Sequence, residues 1–184
     1  MKRLISIFLF LLIPTMLLAQ NYKIDGDNSY IGIKYKSNTL NHLVVRLANI
    51  KGKASITRGK ISKLGFKASL KNLSTGNEDR DEYLKESVFK TKKYKSIHFE
   101  SMRIEGSPNG PVAKGLFTIN GKSKGLIIPL TVTGPVTQEN GKYRIGISST
   151  VEISRESYQI VIVNEDEKIS DTLVLDIQLQ IISK

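Results

Sequence analysis

The chain contains no cysteine, which removes disulfides, thiolate metal sites and lipoprotein-type acylation at once. A domain built this way is held by packing and ladder hydrogen bonds alone. Histidine is nearly as scarce, with only His42 and His98 and no H-E-x-x-H pair. A zinc site would have to gather both histidines and several carboxylates from distant parts of the chain, so no metal site is expected. Internal repeats, low-complexity tracts and linker-like stretches are also missing, which leaves no sign of a second domain. Acids are the minority charge, 17 against 28 Lys and Arg, for a formal net charge of +11 at pH 7.

The first twenty residues, MKRLISIFLFLLIPTMLLAQ, stand apart from the rest. Lys2 and Arg3 precede an apolar run from Leu4 to Leu18, and Ala19 offers a small residue before Gln20, with Leu17 at the −3 position. That layout is expected of a secretory signal peptide over residues 1–19, cleaved to leave one domain over residues 20–184. The competing reading is a retained membrane anchor, but the run of about fifteen residues is short of the roughly 20 that a spanning helix needs. The expectation is therefore an exported protein, periplasmic or secreted. Without Lys2 and Arg3 the remainder carries about +9, a charge that favours anionic surfaces such as phospholipid headgroups. An export address makes nucleic acid the least suitable of such partners. The duller reading is that scattered lysines keep strand faces soluble.

Period-2 alternation dominates the remaining chain. Leu64, Phe66, Ala68 and Leu70 alternate with Gly65, Lys67, Ser69 and Lys71; Leu126, Ile128, Leu130 and Val132 repeat the pattern. Tyr143, Ile145 and Ile147 continue in register to Val151 and Ile153, and Leu173 to Ile181 alternates over nine residues. Each run reads as a strand with one dry and one wet face, which belongs in an antiparallel sheet. Asn120-Gly121 and Asn140-Gly141 sit between such runs and suit tight hairpins, and Asn109-Gly110-Pro111 marks another reversal. The fold class is all-β: an antiparallel meander with short connections.

One segment departs from this rhythm. Thr75 to Tyr94 reads as a helical insert, with Glu78, Asp79, Asp81 and Glu82 near its start and Lys90, Lys92 and Lys93 near its end. That polarity complements the macrodipole. Leu84, Val88 and Phe89 form a narrow apolar stripe on it.

Motifs that carry chemistry have plainer readings here. Gly121-Lys122-Ser123-Lys124-Gly125 matches G-x-S-x-G, but it lies between two strand-like runs rather than on a strand-to-helix turn, so it reads as a hairpin. The same stretch fails as a phosphate loop, because Gly115 and Gly121 are one residue too far apart and no helix succeeds them. The cluster Glu78-Asp79-Arg80-Asp81-Glu82 could place paired carboxylates for acid–base work, and reads more simply as an acidic helix start with an Arg80–Asp81 pair. No catalytic site is expected.

The order of motifs resembles the YceI-like family. Thr75, Arg80-Asp81, Leu84, Phe89, Tyr94 and Phe99-Glu100-Ser101 fall where its central signature has Thr, an R-D pair, Leu, aromatics and an F-x-S strand. Gly115, Phe117-Thr118-Ile119 and Gly121 resemble its next hairpin; Ser154-Arg155-Glu156-Ser157-Tyr158 resembles a later R-x-x-[FY]-G segment, and ISDTLVLDIQLQI its closing strand. The likeness runs in order from Tyr22 to Ile182. Tyr22 stands where the family has Trp, Gln159 where it has Gly, and the first hairpin, YKSNTLNHLVVRLANIKG, is rewritten without Phe.

What the resemblance implies is a lipocalin-like antiparallel β-barrel of about eight strands, with one helical insert at about 75–94, holding a long isoprenoid or similar amphiphilic lipid. An eight-strand barrel is about the size that encloses one small ligand. The expected apolar wall comprises Phe66, Leu70, Phe99, Phe117, Ile119, Ile128, Ile145, Ile147 and Leu175, and Arg80 is a candidate for a polar headgroup. No cofactor is expected beyond a bound lipid, and oligomeric state is left open, a dimer included. Two alternatives stand beside lipid carriage or storage. One is a solid-barrelled stress or interaction protein; the other is an enzyme acting on an isoprenoid or quinone precursor, for which Asp79, Asp81 and His98 would be the groups to alter.

Overall fold

The computed structural model describes residues 20–36, 42–162 and 170–183. The expected signal segment and the side chain of His42 lie outside the described residues. The strand segments are β1 (Gln20–Ile24), β2 (Tyr30–Lys36), β3 (His42–Leu47), β4 (Lys51–Thr57), β5 (Lys60–Ser69), β6 (Leu73–Ser74), β7 (Ser96–Ser107), β8 (Gly110–Ile119), β9 (Lys122–Pro129), β10 (Thr131–Thr137), β11 (Tyr143–Ser154) and β12 (Thr172–Ser183). Every ladder between them is antiparallel.

These segments combine into about eight strands. β1 and β2 both lie along β12 and form one strand interrupted at Asp25–Ser29. β4 pairs with β1 and β3 with β2, giving a second broken strand, and β5 and β6 continue it on the far side. The first interruption is tied rather than loose. The Asp25 N–H donates to the Gln180 carbonyl at 2.8 Å, the Ser29 hydroxyl donates to the Asp25 carbonyl at 2.6 Å, and the Gln180 N–H donates to Ser29 Oγ at 2.9 Å.

The sheet does not close. β9 pairs only with β8, and β10 only with β11, so the ladder ends on one side at β9 and on the other at β10. The two ends are joined covalently through Leu130, whose N–H donates to the Pro111 carbonyl at 2.8 Å. β10 covers β11 only from Tyr143 to Ser148. From Ser149 to Ser154 that edge of β11 has no ladder partner among the described residues, and neither does the free edge of β9.

Turn chemistry fixes the hairpins. Asn120 and Gly121 have φ of 49° and 70°, and Arg58 and Gly59 have 52° and 73°; two successive positive values match the twist of the flanking strands. Gly115 is demanded for a different reason, close approach. A Cβ there would run into the Glu100 carbonyl and lie 2.8 Å from the Ser101 Cα, at the bulge in β7. Gly115→Ala is expected to cost about 1–3 kcal/mol, read as a lower urea midpoint with an unchanged slope.

The interior is predominantly apolar. Phe66, Phe99 and Phe117 lie in register across β5, β7 and β8. The Phe66 and Phe99 rings stack at 5.5 Å, and Tyr158 meets Phe117 edge-on at 5.7 Å. One end of the barrel is capped by the helical insert. α1 (Glu78–Tyr83) runs into a π turn over Leu84–Val88, and Leu84, Val88 and Phe89 are all buried. The Asn120 amide donates to the Val88 carbonyl at 3.1 Å and fastens this cap to the β8–β9 turn. The helix is shorter than the 75–94 the sequence suggests. Gly76 and Lys90 have φ of 79° and 48°, left-handed values through which a right-handed helix does not continue.

Candidate functional site

Alternation puts one face of each strand into the interior. Phe66, Leu70, Phe99, Phe117, Ile119, Ile128, Ile145, Ile147 and Leu175 are all buried there, none more than 5% exposed. They come from β5 and the turn after it, β7, β8, β9, β11 and β12, so the structure brings the whole set onto one shared interior. Burial alone describes a core-filling side chain as well as a ligand wall. Ile31 and Ile33 in β2 and Val45 and Leu47 in β3 stand outside the expected wall, yet they are buried just as completely. Their alternation in YIGIKYK and HLVVRL is the signal that could have found them.

Ser149 in β11 is a polar side chain buried among these residues. It is 7% exposed and its hydroxyl has no hydrogen-bond partner among the described residues. It comes directly after the last residue that β10 covers and opens the unpaired stretch of β11. An unpaired buried hydroxyl costs about 1–3 kcal/mol.

At the capped end, Arg155 donates through Nη1 to the Ile160 carbonyl at 2.9 Å, which closes the turn that presents Tyr158 to Phe117. Gln159 comes next with φ of 53°. That left-handed value is the one a glycine adopts freely, which accounts for the family's glycine where this chain has Gln. A cleft of about 460 Å³ lies beside this turn, lined by Lys90, Tyr94, Asn120, Arg155 and Gln159 among others.

Arg80 does not pair with Asp81. Neighbouring helix residues point away from each other, and Asp81 instead accepts from the Thr75 backbone N–H and the Thr75 hydroxyl, both at 2.7 Å. Burial pushes the Asp81 carboxyl upward, but the two Thr75 bonds, with Ser74 and the charge of Lys85, hold it below the ordinary carboxylate value. The folded pKa being the lower one, the stability this group supplies is present above the unfolded value near 3.9 and is lost as pH falls through the folded value. Asp81→Ala is expected to cost about 1.5–3 kcal/mol at neutral pH. The deficit should shrink below about pH 4, where the native carboxylate is itself protonated, when urea unfolding is followed across the acid range.

Asp81 and His98, two of the groups the enzyme reading would call on, have separate surroundings. Asp81 is tied to Thr75, while His98 stands exposed on the outer face of β7 between Lys67 and Thr118. In the G-x-S-x-G stretch, Ser123 lies in β9 with its hydroxyl 2.7 Å from that of Thr118, a cross-strand bond within a hairpin.

The relatives of this chain agree with that architecture. A UPF0312 protein of Shewanella sp. strain MR-7 is 28% identical over 157 residues, 82% of each chain. A UPF0312 protein of Vibrio cholerae is 24% identical over 154 residues, covering 80% of this chain and 82% of its own. Among solved structures, Burkholderia cenocepacia BcnA superposes with a TM-score of 0.74 at 15% identity, over 85% of this chain and 98% of its own. A Saccharophagus degradans domain described as polyisoprenoid binding and implicated in plant cell wall breakdown gives 0.69 at 14% identity, over 89% and 98%. At such identities these structures speak to the fold alone. The family profile matches residues 22–181, nearly the whole described barrel, and the chain belongs to the YceI-like domain family.

Proposed function

We propose that the barrel binds one long apolar or isoprenoid-type amphiphile and stores or carries it across an aqueous compartment. The observation that carries this reading is a shared apolar interior whose wall is unlaced along one line, between the free edge of β9 and Ser149–Ser154 of β11. The family membership and the polyisoprenoid-binding neighbour support it. Each methylene transferred from water gains roughly 0.8 kcal/mol, so a five-carbon isoprenoid unit gains about 3–4 kcal/mol before ordering costs. Two or three units suffice for retention, and no covalent chemistry is needed.

The same geometry sets how the barrel loads. The inner side chains are buried, and a guest enters by parting the wall. Parting it between β9 and β11 breaks no ladder hydrogen bond, which makes that line the cheapest opening. The Ser149 hydroxyl then meets the guest's polar atom. Export through the residues 1–19 signal and exchange of cargo at an anionic membrane complete the proposal.

The second reading is a solid barrel that acts only by interaction. The absence of exposed surface on Phe117, Ile119 and Leu175 favours it. Titration with a polyene fatty acid, fluorescent only in apolar surroundings, separates the two. Carriage predicts saturable enhancement at one probe per chain, displaced by a long-chain isoprenol. The solid barrel predicts none.

A further inference from the structure

One side of the outer wall concentrates lysine. Lys23 of β1, Lys51 and Lys53 of β4, and Lys63 and Lys67 of β5 are all exposed on the outer faces of three adjacent strands. Their register stacks like on like, with Lys23 directly opposite Lys53 and Lys51 directly opposite Lys67. Like charges directly opposite one another destabilise a sheet. No acid relieves them: none of the five takes part in an ion pair among the described residues. The lone carboxylate of the patch, Glu100, lies instead across Gly65, where a Cβ would collide with it. Lys51, Lys53, Lys63, Lys67, Glu100 and His98 line a groove of about 580 Å³ on the outside of the wall.

Several cations elsewhere on the outer wall are matched, although Lys122 and Lys124 of β9 are exposed without an ion pair among the described residues. Lys34 of β2 is bonded to Asp176 of β12 at 2.8 Å, Arg144 of β11 stands 4.0 Å from Asp25, and Lys114 of β8 is bonded to Glu105 at 2.7 Å. What sets the β1–β4–β5 face apart is that its lysines stand directly opposite one another across adjacent strands.

We propose that the β1–β4–β5 face docks the barrel on an anionic phospholipid surface. A protein partner fits it less well, because interfaces between proteins are built around apolar and aromatic anchors with charge at the rim. The exposed large apolar side chains, Met102, Leu116 and Ile127 among them, lie on β3, on β7 to β9 and on later segments, outside this face. Long, flexible lysines spread over three adjacent strands suit a fluid, multivalent negative surface, where each contributes independently. This inference rests on the proposed lipid carriage only for its purpose, holding a carrier at a membrane where cargo is exchanged.

The test is co-sedimentation of the Gln20–Lys184 protein with phosphatidylcholine vesicles and with the same vesicles containing phosphatidylglycerol. Binding is expected only to the second, weakening steeply with salt. A variant carrying Lys51→Gln, Lys53→Gln, Lys63→Gln and Lys67→Gln should bind about a hundredfold more weakly or worse. A control losing equal charge elsewhere, Lys90→Gln, Lys93→Gln, Lys122→Gln and Lys124→Gln, should lose at most several-fold. The first variant should also unfold at a urea concentration no lower than the parent, since it relieves opposed charges. Equal losses in both variants, equal binding to both vesicle types, or binding to polyglutamate but not to vesicles each overturns the proposal. Probe uptake by the first variant is measured alongside: uptake without vesicle binding rejects the docking face alone, while vesicle binding without uptake rejects the carriage alone.

Discussion

Ile128→Arg is expected to abolish probe uptake and to lower stability by several kcal/mol. Ile128 is 1% exposed and sits opposite Ala113, itself fully buried, on the inner face of β9. The inward neighbours on β8 and β11 are Ala113, Phe117, Ile119, Ile145 and Ile147, none of which can pair with a guanidinium. Arginine keeps its charge at any accessible pH, and an unpaired buried charge costs several kcal/mol. The least costly response is for β9, held on one edge only, to swing its new side chain outward and drag the seam open. Ile127→Arg provides the control, because Ile127 is 58% exposed on the other face of the same strand. It should leave both uptake and the urea midpoint unchanged. Normal loading by the Ile128 variant would show that the faces have been assigned the wrong way round.

Phe99→Ala is expected to cost about 3–5 kcal/mol. Phe99 is 1% exposed, stands in the middle of the Phe66–Phe99–Phe117 row, and stacks directly on Phe66. Its removal deletes a large buried side chain and leaves a hole in the least compliant part of the wall, where three strands are laddered on both sides. With no disulfide to hold the chain, nothing else offsets the loss. Phe99→Leu, which keeps most of the volume, should cost less than half as much. If the Ala variant unfolds with the parent, the row is not the packing centre of the barrel.

Much of the fold is legible in the residues. Leu173 to Ile181 alternates without a fault, and the structure buries each odd position of that stretch. The Asn120-Gly121 turn is legible because few residues accept positive φ. Arg58-Gly59 is not, because arginine gives no such signal, although its backbone is the same. The break at Leu130 is hidden for a better reason: Leu126, Ile128, Leu130 and Val132 keep perfect alternation while the strand changes partner from β8 to β11. Period-2 patterning records which face a residue takes, not which neighbour it bonds. The same limit applies to the site. The pattern places Phe66, Ile128 and Leu175 inward, but aliphatic and aromatic side chains both fill cores and line cavities, so it is silent on a guest. Arg80 misleads because adjacency to Asp81 in sequence is not adjacency in space.

The most direct measurement is mass spectrometry of the organic extract of gently purified Gln20–Lys184 protein, with and without prior incubation with long-chain isoprenols. Carriage predicts one apolar amphiphile per chain, retained through gel filtration and released on unfolding in urea. Protein that yields no such molecule from any host, and takes up none when offered, would contradict it.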